Sequence, residues 1–228
     1  MPEQAERKAL SEGLAELRER MTTLAELARV AIRKAIETFE DKPEEASAVF
    51  TLDQEIFALR EETVKSCIDL IALHAPVARD LRTITTSLEI TTDLDRVGRY
   101  SKDIAESGTR LRGRKGGPVK TPPKMHQMGE LTIGMVDTAI KAFLAADAEP
   151  VRNIIQADDA VDNLHDVLYT DVVDGMAARA IAPDVGAQYI LVNRYLERIS
   201  DHAVNIGHHV TYLVTGRRPW RPGGHRIA

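Results

Sequence analysis

The chain of 228 residues holds one cysteine, one tryptophan and only 4% aromatic residues. A single thiol, Cys67, excludes an intramolecular disulfide and a cysteine-built zinc cage. It lies in "VKSCIDLIAL", on an apolar helical face, which predicts a buried and inert thiol. Scarce aromatics, with Ala, Leu, Ile, Val, Glu and Arg dominant, disfavour a β-sandwich and favour helices. Basic charge is not in excess either. The formal net charge of -5 excludes a general nucleic-acid binder, which carries a basic footprint. No apolar run approaches the ~20 residues that span a bilayer. The opening "MPEQAERKAL" lacks the apolar core of a signal peptide. The expectation is a cytoplasmic protein that meets membranes only through partners.

What is present is helical periodicity. Leu10, Leu14, Leu17, Met21, Leu24, Leu27 and Ala31 recur at steps of three and four, one stripe of a helix running to about Phe39. Pro43, in "EDKPEE", ends it and suits the start of the next. That second helix carries Phe50, Leu52, Ile56, Leu59, Val64, Ile68 and Ile71 and stops near "HAPVARD". A third runs from about Val77 through Ile84, Leu88, Leu94, Val97 and Ile104. Residues 111–124, rich in Gly and Pro, read as a linker. Helical patterning resumes at Met125 in three segments broken at "ADAEP" and "AIAPDVG". Residues 216–228 read as a basic, disordered tail.

The two halves repeat. Ala35, Ile36 and Phe39 match Ala139, Ile140 and Phe143, an offset of 104. Asp53, Ile56 and Leu59 match Asp158, Val161 and Leu164, an offset of 105. "LDRVGRYSKDI" (94–104) matches "LERISDHAVNI" (196–206) at 102. The fold class is therefore all-α, a tandem repeat of two three-helix bundles with six long antiparallel helices. The boundaries are 1–110 and 125–215.

One stripe of the last helix concentrates polar ligands. With Glu197 at zero and ~100° per residue, Asp201 falls near 40°, Asn205 near 80° and His208 near 20°. The equivalent stripe of the third helix holds Asp95, Arg99, Asp103 and Glu106. Oxygen donors with an occasional imidazole suit magnesium, manganese, iron, zinc or calcium rather than copper(I). One helix cannot enclose a cation. Asp158 and Asp162 on the fifth helix, with Asp159, Asp166 and His165 beside them, are the candidates to complete a second-half site. The competing reading is a solvated acidic face, with Arg194 and Arg198 three residues before Glu197 and Asp201 in exposed ion pairs. His202 and His209 fall off the stripe, near 140° and 120°, and are left outside the site. In "PVARDLR" (76–82), Pro76 suits a helix start, Asp80 the positive end of the helix dipole, and Arg79 and Arg82 the solvent. No phosphate loop and no Ser or Cys nucleophile with a base at helical spacing is present.

Taken together, the tandem three-helix unit, "PVARDLR" and the acid-Arg-hydrophobic-small-acid phrase resemble the PhoU family of phosphate-uptake regulators. The resemblance implies a cytoplasmic negative regulator of phosphate transport and phosphate ion homeostasis that binds metal through E/D-x-x-x-D motifs. It implies as partners the ATPase of the phosphate ABC transporter and a sensor histidine kinase. Family members often pair, which implies a homodimer. The chain departs from the family pattern at Arg99, where a second acid belongs. An arginine cannot ligate a metal, and it is placed to pair with Asp95 and Asp103. The expectation is one metal site, in the second half, with the first-half set (Asp95, Asp103, Glu106) replaced by an internal salt bridge. Two other readings are a carboxylate-bridged metalloenzyme and a metal-free helical adaptor. The Glu-x-x-His pairs of ferritin-like enzymes do not occur here, against the first.

Overall fold

The computed structural model describes residues 2–40, 43–112 and 121–219. Helices α1 (Pro2–Glu40), α2 (Ala46–His74) and α3 (Ala78–Arg112) form the first repeat. Helices α4 (Pro123–Ala145), α5 (Val151–Ala177) and α6 (Pro183–Thr215) form the second. A short 3-10 turn, Pro43–Glu45, precedes α2. Most of the linker (113–120) and of the tail (220–228) lies outside the described residues. The tail's first residues are tied down: Arg218 donates to Glu89 Oε1 at 2.6 Å and lies 5.1 Å over the Tyr212 ring.

The stripe read along α1 is the one the fold buries. Leu17, Met21, Leu24 and Ala31 are at most 1% exposed, while Leu10, Leu14 and Leu27 pack against the core from its edge. Prolines open helices where a lost N–H costs nothing: Pro123 and Pro183 are the first residues of α4 and α6. Gly216, at φ 70°, closes α6 by donating its N–H to Tyr212 O at 2.8 Å.

Helices α1, α3, α4 and α6 form a central layer, with α3 against α6 the broadest contact. Among the described residues, helix α2 packs only on α1, α3 and the 3-10 turn, and α5 only on α4 and α6. The outer helices therefore sit on opposite flanks. One continuous hydrophobic cluster runs from Leu17 and Ile32 through Leu94 to Leu196 and Val210, so the repeats share a core although the chain divides between them. Arg82, expected to face solvent, is half-buried instead and donates through Nε to Leu213 O at 3.3 Å, where α6 ends with carbonyls to spare. Cys67 is fully buried, and burial pushes its thiol up to about 12. No helix of the described residues is long and apolar enough to cross a membrane.

Helices α1 and α3 approach closely at Gly108, where an added Cβ would lie 3.0 Å from both Phe39 Cα and Thr38 O. Backbone atoms cannot swing aside as a side chain can. Gly108→Ala is expected to lower the unfolding free energy by about 1–3 kcal/mol. Urea denaturation checks this; an unchanged midpoint would mean the helices part without cost.

Candidate functional site

Helices α5 and α6 bring four carboxylates together. Glu197 is buried, at 4% exposure, Asp158 and Asp201 are half-buried, and Asp162 is exposed. Each pair is spaced one turn apart on its own helix, and the two pairs face each other. Burial, then the charges of Asp162 and Asp201, push the Asp158 carboxyl up to about 7, against an opposing hydrogen bond from Ser200. Burial and Asp201 also raise Asp162, with His165 opposing. Burial and Asp201 raise Glu197, with Arg194 and Arg198 opposing. Both arginines stand where the spacing places them: Arg194 Nη1 is 2.7 Å from Glu197 Oε1, and Arg198 Nη1 is 3.6 Å from Asp201 Oδ2. Among the described residues Asp158 receives no such cation, and its Oδ1 is buried without a hydrogen-bond partner. The cluster therefore carries negative charge beyond what its arginines neutralise. Among the described residues, no group of three or more His, Cys, Asp or Glu side chains is arranged to hold a metal ion.

The first repeat solves the same problem differently. Asp53, the counterpart of Asp158, is buried and lies 3.4 Å from Arg99 Nε and 3.8 Å from Lys102 Nζ. Arg99, the counterpart of Asp201, thus reaches across to α2. The expected pairing of Arg99 with Asp95 and Asp103 on its own helix is corrected: its ion pair is with Asp53. Asp103 feels Arg99 only as a nearby charge, and burial and Glu106 raise its carboxyl. Glu106 pairs with Arg110 at 3.4 Å, and Asp95 is half-buried on α3. A guanidinium stands at the position where the second repeat has an acid.

Two histidines set aside on spacing alone prove central elsewhere. Asp93, on α3, is buried, with His202 Nδ1 at 2.8 Å from Oδ1 and His209 Nε2 at 3.3 Å from Oδ2. The other nitrogen of His209 lies 2.9 Å from Glu89 Oε2, and Asn205 Nδ2 lies 3.5 Å from Asp93 Oδ1. Asn205 thus turns toward α3, while His208 is half-buried on the same helix. Burial pushes Asp93 up, but its contacts and charge interactions with His202 and His209 outweigh it and hold the carboxyl below its ordinary value. The network bridges the repeats. At the offset of 102, Asp93 and His202 correspond to Tyr195 and Tyr100, which stack at 6.0 Å. One side of the pseudo-twofold contact is ionic and the other aromatic. The sequence signal was Glu89 and Asp93, one turn apart on an otherwise Thr-rich and apolar stretch. Nothing in α3 alone shows that histidines from α6 answer them.

Comparison with known proteins agrees with this architecture. The PhoU domain model matches residues 21–108 and again 125–210. The phosphate-specific transport system accessory protein PhoU homolog 2 of Mycobacterium tuberculosis is 30% identical over 93% of this chain and all of its own length. The PhoU homolog of Clostridium acetobutylicum is 29% identical over 93% of this chain and 97% of its own. The crystal structure of PhoU from Pseudomonas aeruginosa superposes with a TM-score of 0.86 at 26% identity, covering 91% of this chain and 99% of that one. That of the Streptococcus pneumoniae phosphate transport system regulatory protein PhoU gives 0.85 at 26%, covering 93% of this chain and 100% of that one.

Two outcomes are expected. Asp158 has a folded-state value near 7, above the ~3.9 of an unfolded aspartate. Its contribution is therefore favourable below about pH 4 and is lost as pH rises through about 7. Chelator-treated protein should lose stability over that window, and Asp158→Asn should flatten the loss; parallel profiles for the two would overturn the assignment. Asp93→Ala leaves two half-buried imidazoles without their acceptor and should cost about 2–4 kcal/mol in urea denaturation at neutral pH. An effect below about 0.5 kcal/mol, the size of an ordinary surface change, would remove the network from the forces joining the repeats.

Proposed function

Since the chain belongs to the PhoU family, we propose that it restrains phosphate import and phosphate-starvation signalling from the cytoplasm. It does so by binding the ATPase of the phosphate transporter and a sensor histidine kinase rather than by catalysis. Membrane contact comes through those partners, and the working form is a homodimer. The observation that carries the metal-dependent part of the reading is the carboxylate cluster between α5 and α6, with Asp158 half-buried, raised and lacking a cation of its own.

The donor set fits a hard or borderline divalent ion, or iron. Glu197, Asp201, Asp158 and Asp162 would hold it, with His165 beside them. A bound cation would supply the positive charge that cancels repulsion between the two helices. Held in that way, α5 is fixed on α6, and the flank of the second repeat becomes one rigid surface. In the first repeat Arg99 and Lys102 already supply charge to Asp53, so that flank is set without an ion. The reading is therefore asymmetric: one ion site per chain. The adaptor reading without metal shares the scaffold and differs only in that ion.

Titration calorimetry of chelator-stripped protein with manganese and zinc chlorides should give one strong site per chain. Asp158→Asn with Asp201→Asn should abolish it, while Asp95→Asn should leave it unchanged. Two equal sites would overturn the asymmetry, and no binding would leave the metal-free adaptor. Deleting the gene should derepress phosphate-uptake genes in phosphate-rich medium; unchanged transcript levels would overturn the regulatory reading.

A further inference from the structure

The two ends of the central layer are related by the internal duplication, yet one is filled and the other open. At one end Phe39 packs edge-on against Tyr189, ring centroids 5.8 Å apart. Among the described residues, the space at that end lined by Ile36, Phe39, Ile104, Met125, Val192 and Leu196 is about 10 Å³. That is about the room one water needs. At the other end the counterpart of Phe39 is Phe143, at the offset of 104. The counterpart of Tyr189, at 102, is Ser87. A hydroxymethyl replaces a phenol, and a cavity of about 210 Å³ opens between α1, α3, the end of α4 and the end of α6.

Its walls change character as well as size. Thr83, Arg79 and Asp80 line the open cavity, where the second repeat has Val185, Ile181 and Ala182. Arg18 stands where the second repeat has Pro122. Leu14, Leu17, Phe143 and Leu213 keep the rest apolar. The Arg18 guanidinium donates to the Leu144 carbonyl, which fixes it at the wall. Arg79 forms no ion pair among the described residues and extends from the first turn of α3. Ser87 and Thr83 spend their hydroxyl protons on the carbonyls of Thr83 and Arg79, at 2.8 and 3.0 Å, so their oxygens are left as acceptors. Two arginines against one aspartate leave the lining one positive charge in excess.

We infer that this cavity is a binding site for a small ring-bearing anion, a carboxylate or phosphate on a body the size of the missing phenol. The ring lies against Phe143 and the leucines, as Tyr189 lies against Phe39 at the other end. The anionic group meets Arg79 and Arg18. A concave, mostly apolar pocket with a few convergent polar groups is the usual form of such a site. It also gives "PVARDLR" a role beyond starting a helix: that segment places Arg79 and Asp80 on the lining and anchors Arg82 to the end of α6. The site is separate from the α5–α6 carboxylates, so a failure of either reading leaves the other standing.

The test uses the full chain in the presence of chelator, with phenylacetate, 4-hydroxyphenylacetate and phenyl phosphate as probes. Calorimetry and thermal unfolding should show one bound anion per chain and a raised melting temperature. Benzyl alcohol, acetate and inorganic phosphate, each lacking one half of the chemistry, should bind at least about tenfold more weakly. Ser87→Tyr refills the cavity from within; it should raise the melting temperature of the free protein and abolish probe binding, whereas Ser87→Ala should keep it. Arg79→Gln, an exposed change that tests the charge even if Ser87→Tyr does not fold, should weaken binding about tenfold. No binding by any ring-bearing anion, or affinity unchanged in Arg79→Gln, would overturn the proposal, as would binding that persists in a folded Ser87→Tyr protein.

Discussion

The packing of α3 on α6 holds this molecule together. Each repeat alone exposes an apolar face of its third helix. Leu94, Val97, Leu196 and Ile199 of these two helices are buried in one shared core. Hydrophobic burial is non-directional, so it fixes that the faces meet but not their register. Register needs directional contacts, and these the interface supplies unequally: Asp93 with His202 and His209 on one side, Tyr100 stacked on Tyr195 on the other. With the central layer set, α2 and α5 have no choice but opposite flanks, and the carboxylates of α5 are delivered to those of α6.

Duplication makes the protein its own control. Equivalent backbone positions carry different chemistry, and the consequence of each exchange is visible at its counterpart. Buried Asp53 is met by the exposed guanidinium of Arg99; Asp158 beside Asp201 is an acid whose carboxyl burial and like charge push up to about 7. Tyr189 beside Phe39 closes a crevice that Ser87 beside Phe143 leaves open. In both cases the shape of the repeat is kept and the change is local. Charge and volume have been altered at positions where the fold tolerates it, because neighbouring helices already carry the packing.

The fold was legible because helices announce themselves locally. Steps of three and four in α1, Pro43 and the breaks at "ADAEP" and "AIAPDVG" all lie within one turn of the structure they specify. The carboxylate cluster between α5 and α6 was legible too, for a different reason: both helices carry acids one turn apart, so each half of the cluster was visible separately. Arg99 was misassigned because its neighbours along α3 were known and its neighbour across on α2 was not. A long flexible side chain chooses its partner by reach, and Asp53 is buried where a cation is worth more. His202 and His209 were discarded because they leave the stripe of Glu197. They leave it in order to face another helix.

Sequence periodicity thus decided the class of fold, the number of helices and the acids spaced one turn apart on α5 and on α6, since each is a property of a single helix read one turn at a time, and comparison of the two halves decided the duplication. The Asp93 network, the partner of Arg99, the inward turn of Arg82 and the cavity under Ser87 were decided by tertiary structure alone. Each depends on the angle and register at which two or more helices meet, and side-chain identity along one helix carries no record of what the next helix brings to it.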